Sequence, residues 1–227
     1  CLNPLQDNAN YFAIRAAYYS WGYLIRKAIA CYLDIETSEL DIGYHISVKT
    51  GNPEVFIVEK LENGSGYCNY LSGRKYAQVP TEALLQPLLK GGAIYDTLCT
   101  PDHMRNCISS CYDCIRDYSN QQYHMILDWR LGLDLSRMAA DKALFVNFDV
   151  EYWKDFMDNN LDSLLKKKKQ HSQIKFGHYF AVNDSGVIKG IIVHPFWSDD
   201  YITDVLQQCN NAGIDKISIF ELTRTMN

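Results

Sequence analysis

The stretch "HMRNCISSCYDC", residues 103–114, contains one histidine and three of the eight cysteines of the chain. Cys111 and Cys114 form a C-x-x-C pair, which lets two thiolates reach one ion from a single turn. Cys107 precedes this pair by four residues and His103 precedes Cys107 by four, and on helical turns such offsets keep side chains on one face. Because thiolate and imidazole suit zinc better than a hard cation, the segment predicts a zinc site. Four protein ligands would make it a closed, structural site.

The fourth ligand is open at this stage. His103 fits by its local spacing, while Cys68 and Cys99 are alternatives elsewhere in the chain. Two other interpretations compete with a metal site. Free cysteines pack well in a core as small apolar residues, and a C-x-x-C pair can be a redox centre. Redox pairs of that kind follow a strand in a βαβ unit, which the surrounding sequence does not indicate.

The composition limits the class of protein. A chain of 227 residues with 47% hydrophobic content can bury a core without disulfide staples. It contains no apolar run of membrane-spanning length and no secretory signal, so we expect a cytoplasmic protein whose thiols stay reduced. Its formal net charge of −5 argues against a protein that coats DNA, although it does not exclude a local basic groove. Because the chain starts at Cys1 rather than at methionine, we expect a fragment of a longer protein.

Hydrophobic periodicity predicts an α+β fold. A mostly helical, zinc-bearing part with a small sheet is expected over residues 1–145, followed by a small α/β part over 146–227 that can pack with the first as one unit. The predicted helices cover 9–33, 81–98 with an interruption at Gly91-Gly92, a segment from a Ser119 or Asn120 cap to 140, 150–169 and 199–213. The predicted strands form hairpins within 37–61 and 177–197, and a last strand covers 216–222.

Asn120, His124 and Asp128 are candidates for supporting the metal ligands. If they share one helix with Arg130, His124 and Asp128 are neighbours at i and i+4. Such side chains can orient the metal ligands by forming hydrogen bonds with them. They could equally be a capping asparagine and a satisfied histidine–aspartate pair.

Cations and aromatic residues alternate around the same cysteines. Arg105, Arg116 and Arg130, together with Tyr112, could hold a single nucleic-acid strand by phosphate contacts and base stacking. The alternative is that the aromatic side chains belong to the core.

Several segments together resemble one family. They are "AIRAAYYSWGYLIRKAIACYLDIETSELDIG" (13–43), "VFIVEKLENGSGYCNYL" (55–71), "SCYDCIRDYSNQQYHMILDWRLGLDL" (110–135) and, more loosely, "HPFW" (194–197) and "ISIFELTR" (217–224). The chain resembles the C-terminal zinc-binding domain of MrfA-type superfamily-two DNA helicases, the MZB domain. This domain also occurs in the helicase-partner subunit of the DISARM anti-phage system and in other phage-defence helicases.

The resemblance implies a structural Zn²⁺ site and a partner. Cys107, Cys111 and Cys114 match the metal ligands of the family, and His103 stands where a first ligand is expected, although this chain has histidine there instead of cysteine. The implied partners are a superfamily-two DNA helicase, in the same chain or as a separate subunit, and single-stranded DNA. The implied role is in anti-phage defence or DNA repair.

No catalytic residue is predicted. The sequence contains no G-x-x-x-x-G-K-[S/T] phosphate loop, so P-loop ATP binding is not expected of it. The alternative enzyme is a nuclease or phosphodiesterase built on the C-terminal α/β part, where His194 and Glu221 are the polar candidates. A metal-dependent nuclease needs acidic residues on adjacent strands, and "GIIVHPFW" contains none. A scaffold that binds only protein is a third hypothesis.

Overall fold

In a computed structural model, the described residues are 9–73, 78–167, 172–176, 179–184, 187–209 and 214–224. Within them the helices are α1 (Ala9–Leu33), α2 (Tyr67–Leu71), α3 (Thr81–Leu85), α4 (Ala93–Leu98), α5 (Pro101–Asn106), α6 (Trp129–Ala140), α7 (Glu151–Lys167), α8 (Asp199–Gln208) and α9 (Ile219–Arg224). The strands are β1 (Leu40–Ile46), β2 (Pro53–Glu59), β3 (Ser172–Phe176), β4 (Tyr179–Asp184), β5 (Val187–Val193) and β6 (Asp215–Ser218). The chain is therefore a mixed α+β protein, as predicted.

Helix α1 is the central element of the N-terminal part and packs along α6. At the crossing point, a Cβ atom on Gly132 of α6 would lie 3.1 Å from backbone atoms of Ser20 and Trp21, so the close approach requires glycine. The hydroxyl of Ser20 donates to Ala16 O (2.7 Å) and accepts from the N–H of Asp128 (2.7 Å). These contacts fix the start of α6 against the middle of α1.

The predicted N-terminal hairpin is confirmed. β1 and β2 pair antiparallel, in a register that runs from Leu40 opposite Glu59 to Ile46 opposite Pro53. After β2, the loop that contains Gly66 turns back, and the carboxylate of Glu59 accepts from the N–H groups of Gly66 (2.8 Å) and Cys68 (2.7 Å). Backbone N–H groups arranged in this way can bind an anion, and here the protein supplies its own.

The C-terminal part contains a four-stranded sheet in the order β3-β4-β5-β6. The first three strands pair antiparallel, while β5 and β6 pair parallel and are connected through α8. Buried apolar side chains from both predicted parts form one continuous cluster, which includes Leu24 of α1, Trp153 of α7 and Ile191 of β5. None of the described helices is both long and apolar enough to cross a membrane.

Several predicted helix limits were wrong. The predicted helix that begins at Ser119 or Asn120 is instead a 3₁₀ segment, Tyr118–Tyr123, and α6 begins only at Trp129. Asn120 has φ −116° and ψ 21°, which interrupts the helical path. The interruption predicted at Gly91-Gly92 within 81–98 is confirmed, since Gly91 has φ 84° and α4 begins directly after Gly92. Before this interruption the chain forms α3 and a 3₁₀ turn (Gln86–Leu88) instead of one helix.

The C-terminal prediction was correct for β4, β5 and α8 but missed other elements. The strand predicted over 216–222 ends at Ser218, and the chain continues as α9, in which Phe220 and Leu222 are buried. Strand β3 was not predicted. Residues 168 and 169, 177 and 178, 185 and 186, and 210–213, which the predicted helices and hairpin included, lie outside the described residues.

Candidate metal centre

Four side chains converge where α5 ends. The ligand atoms of His103, Cys107, Cys111 and Cys114 all lie within 4.8 Å of one another. Helix α5 carries His103, Cys107 caps its C-terminus, and a turn presents Cys111 and Cys114. Convergence therefore comes from a helix end and a turn rather than from one continuous helical face.

The distances between the donor atoms test whether a zinc ion fits. Cys107 Sγ lies 3.8 Å from Cys114 Sγ, which lies 3.6 Å from Cys111 Sγ. Cys111 Sγ lies 3.5 Å from His103 Nε2. In a tetrahedron with zinc–sulfur bonds of about 2.3 Å and a zinc–nitrogen bond of about 2.0 Å, the edges are about 3.8 Å and about 3.5 Å. Three of the six donor separations thus match a tetrahedral zinc site, and the others are no longer than 4.8 Å.

The imidazole of His103 is oriented for coordination through Nε2. Its Nδ1 lies 2.8 Å from the carbonyl oxygen of Leu98. When Nδ1–H donates there, the lone pair of Nε2 is free to face the thiols, as a metal-ligating histidine requires. The hydroxyl of Thr100 caps α5 by accepting from the N–H of His103 (3.3 Å), and the ring packs beside Trp129 at 5.1 Å between centroids.

The structure selects His103 among the alternative fourth donors. Neither Cys68 nor Cys99 belongs to the cluster. Cys68 lies in α2, where its Sγ is 3.5 Å from Ile57 O. Cys99 caps the C-terminus of α4, and burial together with the nearby carboxylate of Glu151 raises its pKa to about 12. These two thiols are therefore not part of the candidate metal site.

The thiols of the cluster strongly perturb one another when no ion is bound. Hydrogen bonds with Cys107 and Cys114 lower the pKa of Cys111, and the corresponding bonds with Cys111 and Cys114 raise the pKa of Cys107. Burial lowers the pKa of His103, but hydrogen bonds with Cys111 and Cys114 outweigh it and raise that pKa to about 10. The cluster therefore favours a positive charge at its centre, which a proton or a metal ion can supply.

The turn that holds the last two cysteines is closed by hydrogen bonds to sulfur and backbone. The N–H of Cys111 donates to Cys114 Sγ at 3.0 Å. The carbonyl oxygen of Cys111 accepts from the N–H groups of Cys114 (3.2 Å) and Arg116 (3.0 Å). Both sulfur atoms are thereby positioned by local backbone geometry.

The position of Arg130 contradicts one of the predicted nucleic-acid contacts. Its side chain is fully buried, with Nη1 donating to Ile108 O (2.7 Å) and Cys107 O (3.3 Å) and Nε donating to Tyr152 O (3.2 Å). The guanidinium lies 4.3 Å from the ring of Trp129, and burial lowers the pKa of Arg130. The prediction that Arg130 contacts nucleic acid was wrong, because its donors connect the backbone at the ligand Cys107 to α7.

Sequence reasoning missed the contribution of α1 to this site. Lys27 Nζ donates to the carbonyl oxygens of Asp113 (3.2 Å) and Cys114 (3.3 Å), and Arg26 forms an ion pair with Asp117. Two adjacent cations within a mostly apolar helix were the available signal. Both contacts join residues more than eighty positions apart, which local spacing cannot reveal.

Asn120 supports the backbone that follows the last ligand. Its side-chain amide donates to Ile115 O (2.8 Å), and its carbonyl oxygen accepts from the N–H of Asp117 (2.9 Å) and lies 2.8 Å from His124 Nε2. Asn120 and His124 therefore hold the loop after Cys114 rather than the ligand atoms themselves.

Asp128 has a different role from the predicted one. The expected helical pair of His124 and Asp128 was wrong, because α6 begins after both residues. Asp128 caps α6 by accepting from the N–H of Arg130 (3.2 Å), and its other oxygen accepts from Arg224 Nη1 of α9 (3.1 Å). Burial raises the pKa of Asp128, whereas Arg224 and Arg130 lower it.

The remaining predicted nucleic-acid residues lie at the surface. Arg105 is exposed on α5, and Tyr112 is exposed between two metal ligands. Arg116 is half-buried, and its Nε donates to Ser110 Oγ at 2.8 Å. A contact between these side chains and nucleic acid stays a prediction.

The histidine considered for a nuclease site is a structural residue. His194 is buried, and its Nε2 lies 3.1 Å from a carboxylate oxygen of Asp134. The same buried carboxylate accepts from Tyr152 Oη (2.5 Å), Trp153 Nε1 (2.7 Å) and Arg137 Nη1 (3.3 Å). This network connects α6, α7 and the end of β5 and leaves His194 without access to a substrate.

Comparison with known proteins adds no family to these observations. No family model, curated protein or solved structure matches the chain. What the sequence and the geometry support is a chain with a buried His/Cys₃ cluster that could bind a metal ion.

Proposed function

We propose that the chain is a non-catalytic accessory module, stabilised by one structural zinc ion, that works with a superfamily-two DNA helicase. The helicase would be part of the same polypeptide or a separate subunit, and the module would contact DNA or the motor. The observation that carries the proposal is the cluster of His103, Cys107, Cys111 and Cys114, in which three donor separations are 3.5–3.8 Å and all lie within 4.8 Å.

Zinc is the metal that this donor set favours. Three thiolates and one imidazole form a soft set, and four protein donors leave no coordination position for a substrate or a reactive water. Such a site contributes folding free energy rather than chemistry. Cysteines that bind zinc must not be oxidised to disulfides, which fits a reducing compartment, so we place the module in the cytoplasm.

A platform role is supported by what is anchored around the cluster. Lys27 of α1 and Arg130 of α6 donate to carbonyl oxygens of residues at or beside the ligands. A bound ion would therefore fix two packed helices relative to an irregular surface segment. The helicase assignment rests on the resemblance of the segments at 13–43, 55–71 and 110–135. Because this sequence contains no phosphate loop, the proposal assigns ATP hydrolysis to the helicase and not to the module.

The zinc site can be tested by metal analysis and thermal melting. We expect about one zinc per purified chain and a lower melting temperature after chelation, because the ion binds the folded state. Cys114→Ser should lose the zinc and melt like the chelated protein. The matched control is Cys31→Ser, which changes an exposed cysteine outside the cluster and should keep both properties. Wild-type protein without metal, or zinc retained by Cys114→Ser at full occupancy, would refute the assignment.

The helicase part has a separate test. The sequence that adjoins this chain in the genome should encode a superfamily-two helicase in the same polypeptide or the next one. Unwinding by that helicase should change when the zinc-loaded module is present and should not change with Cys114→Ser. An adjoining sequence without a helicase, or unwinding that is indifferent to the module, would contradict this part of the proposal.

A further inference from the structure

Two exposed tyrosines stand on the outer side of the cysteine cluster. Tyr112 is 58% exposed and Tyr118 is 84% exposed. Their ring centroids lie 5.7 Å apart with an interplanar angle of 43°, so the rings do not cover each other face to face. Neither ring is buried in the core, and these two residues are termed the tyrosine pair below.

The backbone under the tyrosine pair is firmly held. Tyr112 lies between the ligands Cys111 and Cys114. Tyr118 follows Asp117, whose carboxylate accepts from the N–H of Ser119 (2.8 Å) and forms the ion pair with Arg26. A surface whose backbone is already ordered loses little entropy when a ligand binds.

Cations flank the pair. The ammonium group of Lys27 lies against the carbonyl oxygens of Asp113 and Cys114, next to Tyr112 in the chain. Arg116 comes two residues before Tyr118 in the chain, and its Nε donates to Ser110 Oγ at 2.8 Å. Since Asp117 is neutralised by Arg26, these two cations face one further carboxylate of the loop, that of Asp113. Three thiolates around one divalent ion add a net single negative charge, so Lys27 and Arg116 balance Asp113 and the metal centre, and phosphates would be bound by these two individual cations and not by a net positive field.

We infer that the tyrosine pair is a stacking platform for the bases of single-stranded nucleic acid, with Lys27 and Arg116 contacting the phosphates. The inference rests on the proposed function and names the ligand class and the residues. Open aromatic faces bind the π-faces of bases, and cations beside them attract the backbone. A duplex does not fit this surface as well, because its bases are stacked on each other and present only their edges.

The test measures fluorescence anisotropy of a labelled oligothymidylate, and of a duplex of the same length, with zinc-loaded protein at fixed salt. Tyr112→Ala and Tyr118→Ala should each weaken single-strand binding about five- to 100-fold, since loss of one stacked base has that effect. The phenylalanine variants at both positions keep the ring and should bind within about twofold of wild type. Phe12→Ala, which removes a 61% exposed aromatic ring of α1, is the matched control and should leave binding unchanged.

The phosphate contacts have their own measurement. Arg116→Gln should reduce the slope of the logarithm of affinity against the logarithm of salt concentration by about one, because one fewer counterion is released. An unchanged slope would show that Arg116 does not contact the phosphates.

Four results would overturn the inference. They are a wild-type protein that does not bind the oligothymidylate, alanine variants that bind it like wild type, phenylalanine variants that bind it as weakly as the alanine variants, and tighter binding of the duplex. The zinc content of the same samples separates this test from that of the proposed function. One zinc per chain without single-strand binding refutes the platform and leaves the zinc module standing.

Discussion

Replacing Arg130 with methionine tests the conclusion that this arginine holds the metal centre instead of contacting a ligand. Methionine keeps an unbranched apolar stem beside Trp129 and removes the guanidinium. Three carbonyl oxygens, those of Cys107, Ile108 and Tyr152, then lose a charged donor inside the protein. No exposed surface changes, because Arg130 is fully buried.

The size of the effect follows from two opposing contributions. A hydrogen bond to a charged group contributes about 1.5–3 kcal/mol, so three of them give an upper limit of roughly 4.5–9 kcal/mol. Removing a buried charge recovers several kcal/mol of desolvation free energy, and the lowered pKa of Arg130 shows that this penalty is present. We expect the free energy of unfolding to fall by about 3 kcal/mol, which lowers the folding equilibrium constant roughly 100-fold.

Equilibrium urea denaturation of the zinc-loaded protein, followed by circular dichroism, measures this change. The control is Arg116→Met, which removes a half-buried arginine whose Nε donates to the side chain of Ser110, and it should cost less than about 1 kcal/mol. The reasoning is refuted if Arg130→Met unfolds at the wild-type urea concentration and keeps its zinc. If Arg130→Met keeps its stability and its zinc but loses nucleic-acid binding, Arg130 would have to contact the nucleic acid, as the sequence predicted.

Two further predictions concern other parts of the fold. Asp134→Ala should lower the free energy of unfolding by about 3–5 kcal/mol, because the buried donors of Tyr152 and Trp153 lose their acceptor. Urea denaturation measures this free energy, and a decrease below about 1 kcal/mol would contradict the prediction. Burial raises the pKa of Glu59, but backbone hydrogen bonds outweigh it and hold that pKa below its usual range. The stability from Glu59 is then complete above the unfolded-state pKa of about 4.3 and is lost as the pH falls through the lower folded-state pKa. The difference in melting temperature between wild type and Glu59→Gln should therefore disappear on acidification below about pH 4. The control Glu62→Gln, at an exposed position, should show little difference from wild type at any pH. A difference for Glu59→Gln that stays constant with pH would contradict the prediction.

The cluster of His103, Cys107, Cys111 and Cys114 could be predicted from the sequence because its signal is local. Three cysteines and His103 fall within one short segment, and ligands close in sequence can reach one ion with few backbone constraints. What spacing could not decide was the fourth donor. That depended on Leu98 O, which orients the imidazole, and on the position of Cys68 in a separate helix.

The supporting residues could not be predicted in the same way. An arginine in an apolar stretch can face solvent or lie buried against carbonyl oxygens, and periodicity alone does not distinguish these cases for Arg130. The helix predicted through Asn120 failed for a related reason. Asp117 and Asn120 satisfy the local backbone with side-chain bonds, so the segment does not need α-helical bonds and forms a 3₁₀ turn. In α9, an alternation of apolar residues predicted a strand, but the residues that are buried, Ile219, Phe220, Leu222 and Thr223, are spaced as one face of a helix.

Cations explain how the irregular segment between α5 and α6 is ordered. A loop of this kind has carbonyl oxygens without helical or sheet partners, and buried carbonyls require donors. Distant elements supply them: Lys27 from α1 to the turn, and Arg224 from α9 to the carbonyl oxygens of Ile126 (2.8 Å) and Leu127 (3.1 Å). Three thiolates around one divalent ion would carry a net negative charge, which these cations would partly offset. The His/Cys₃ cluster and the inward-facing cations therefore belong to one arrangement in a chain whose net charge is −5.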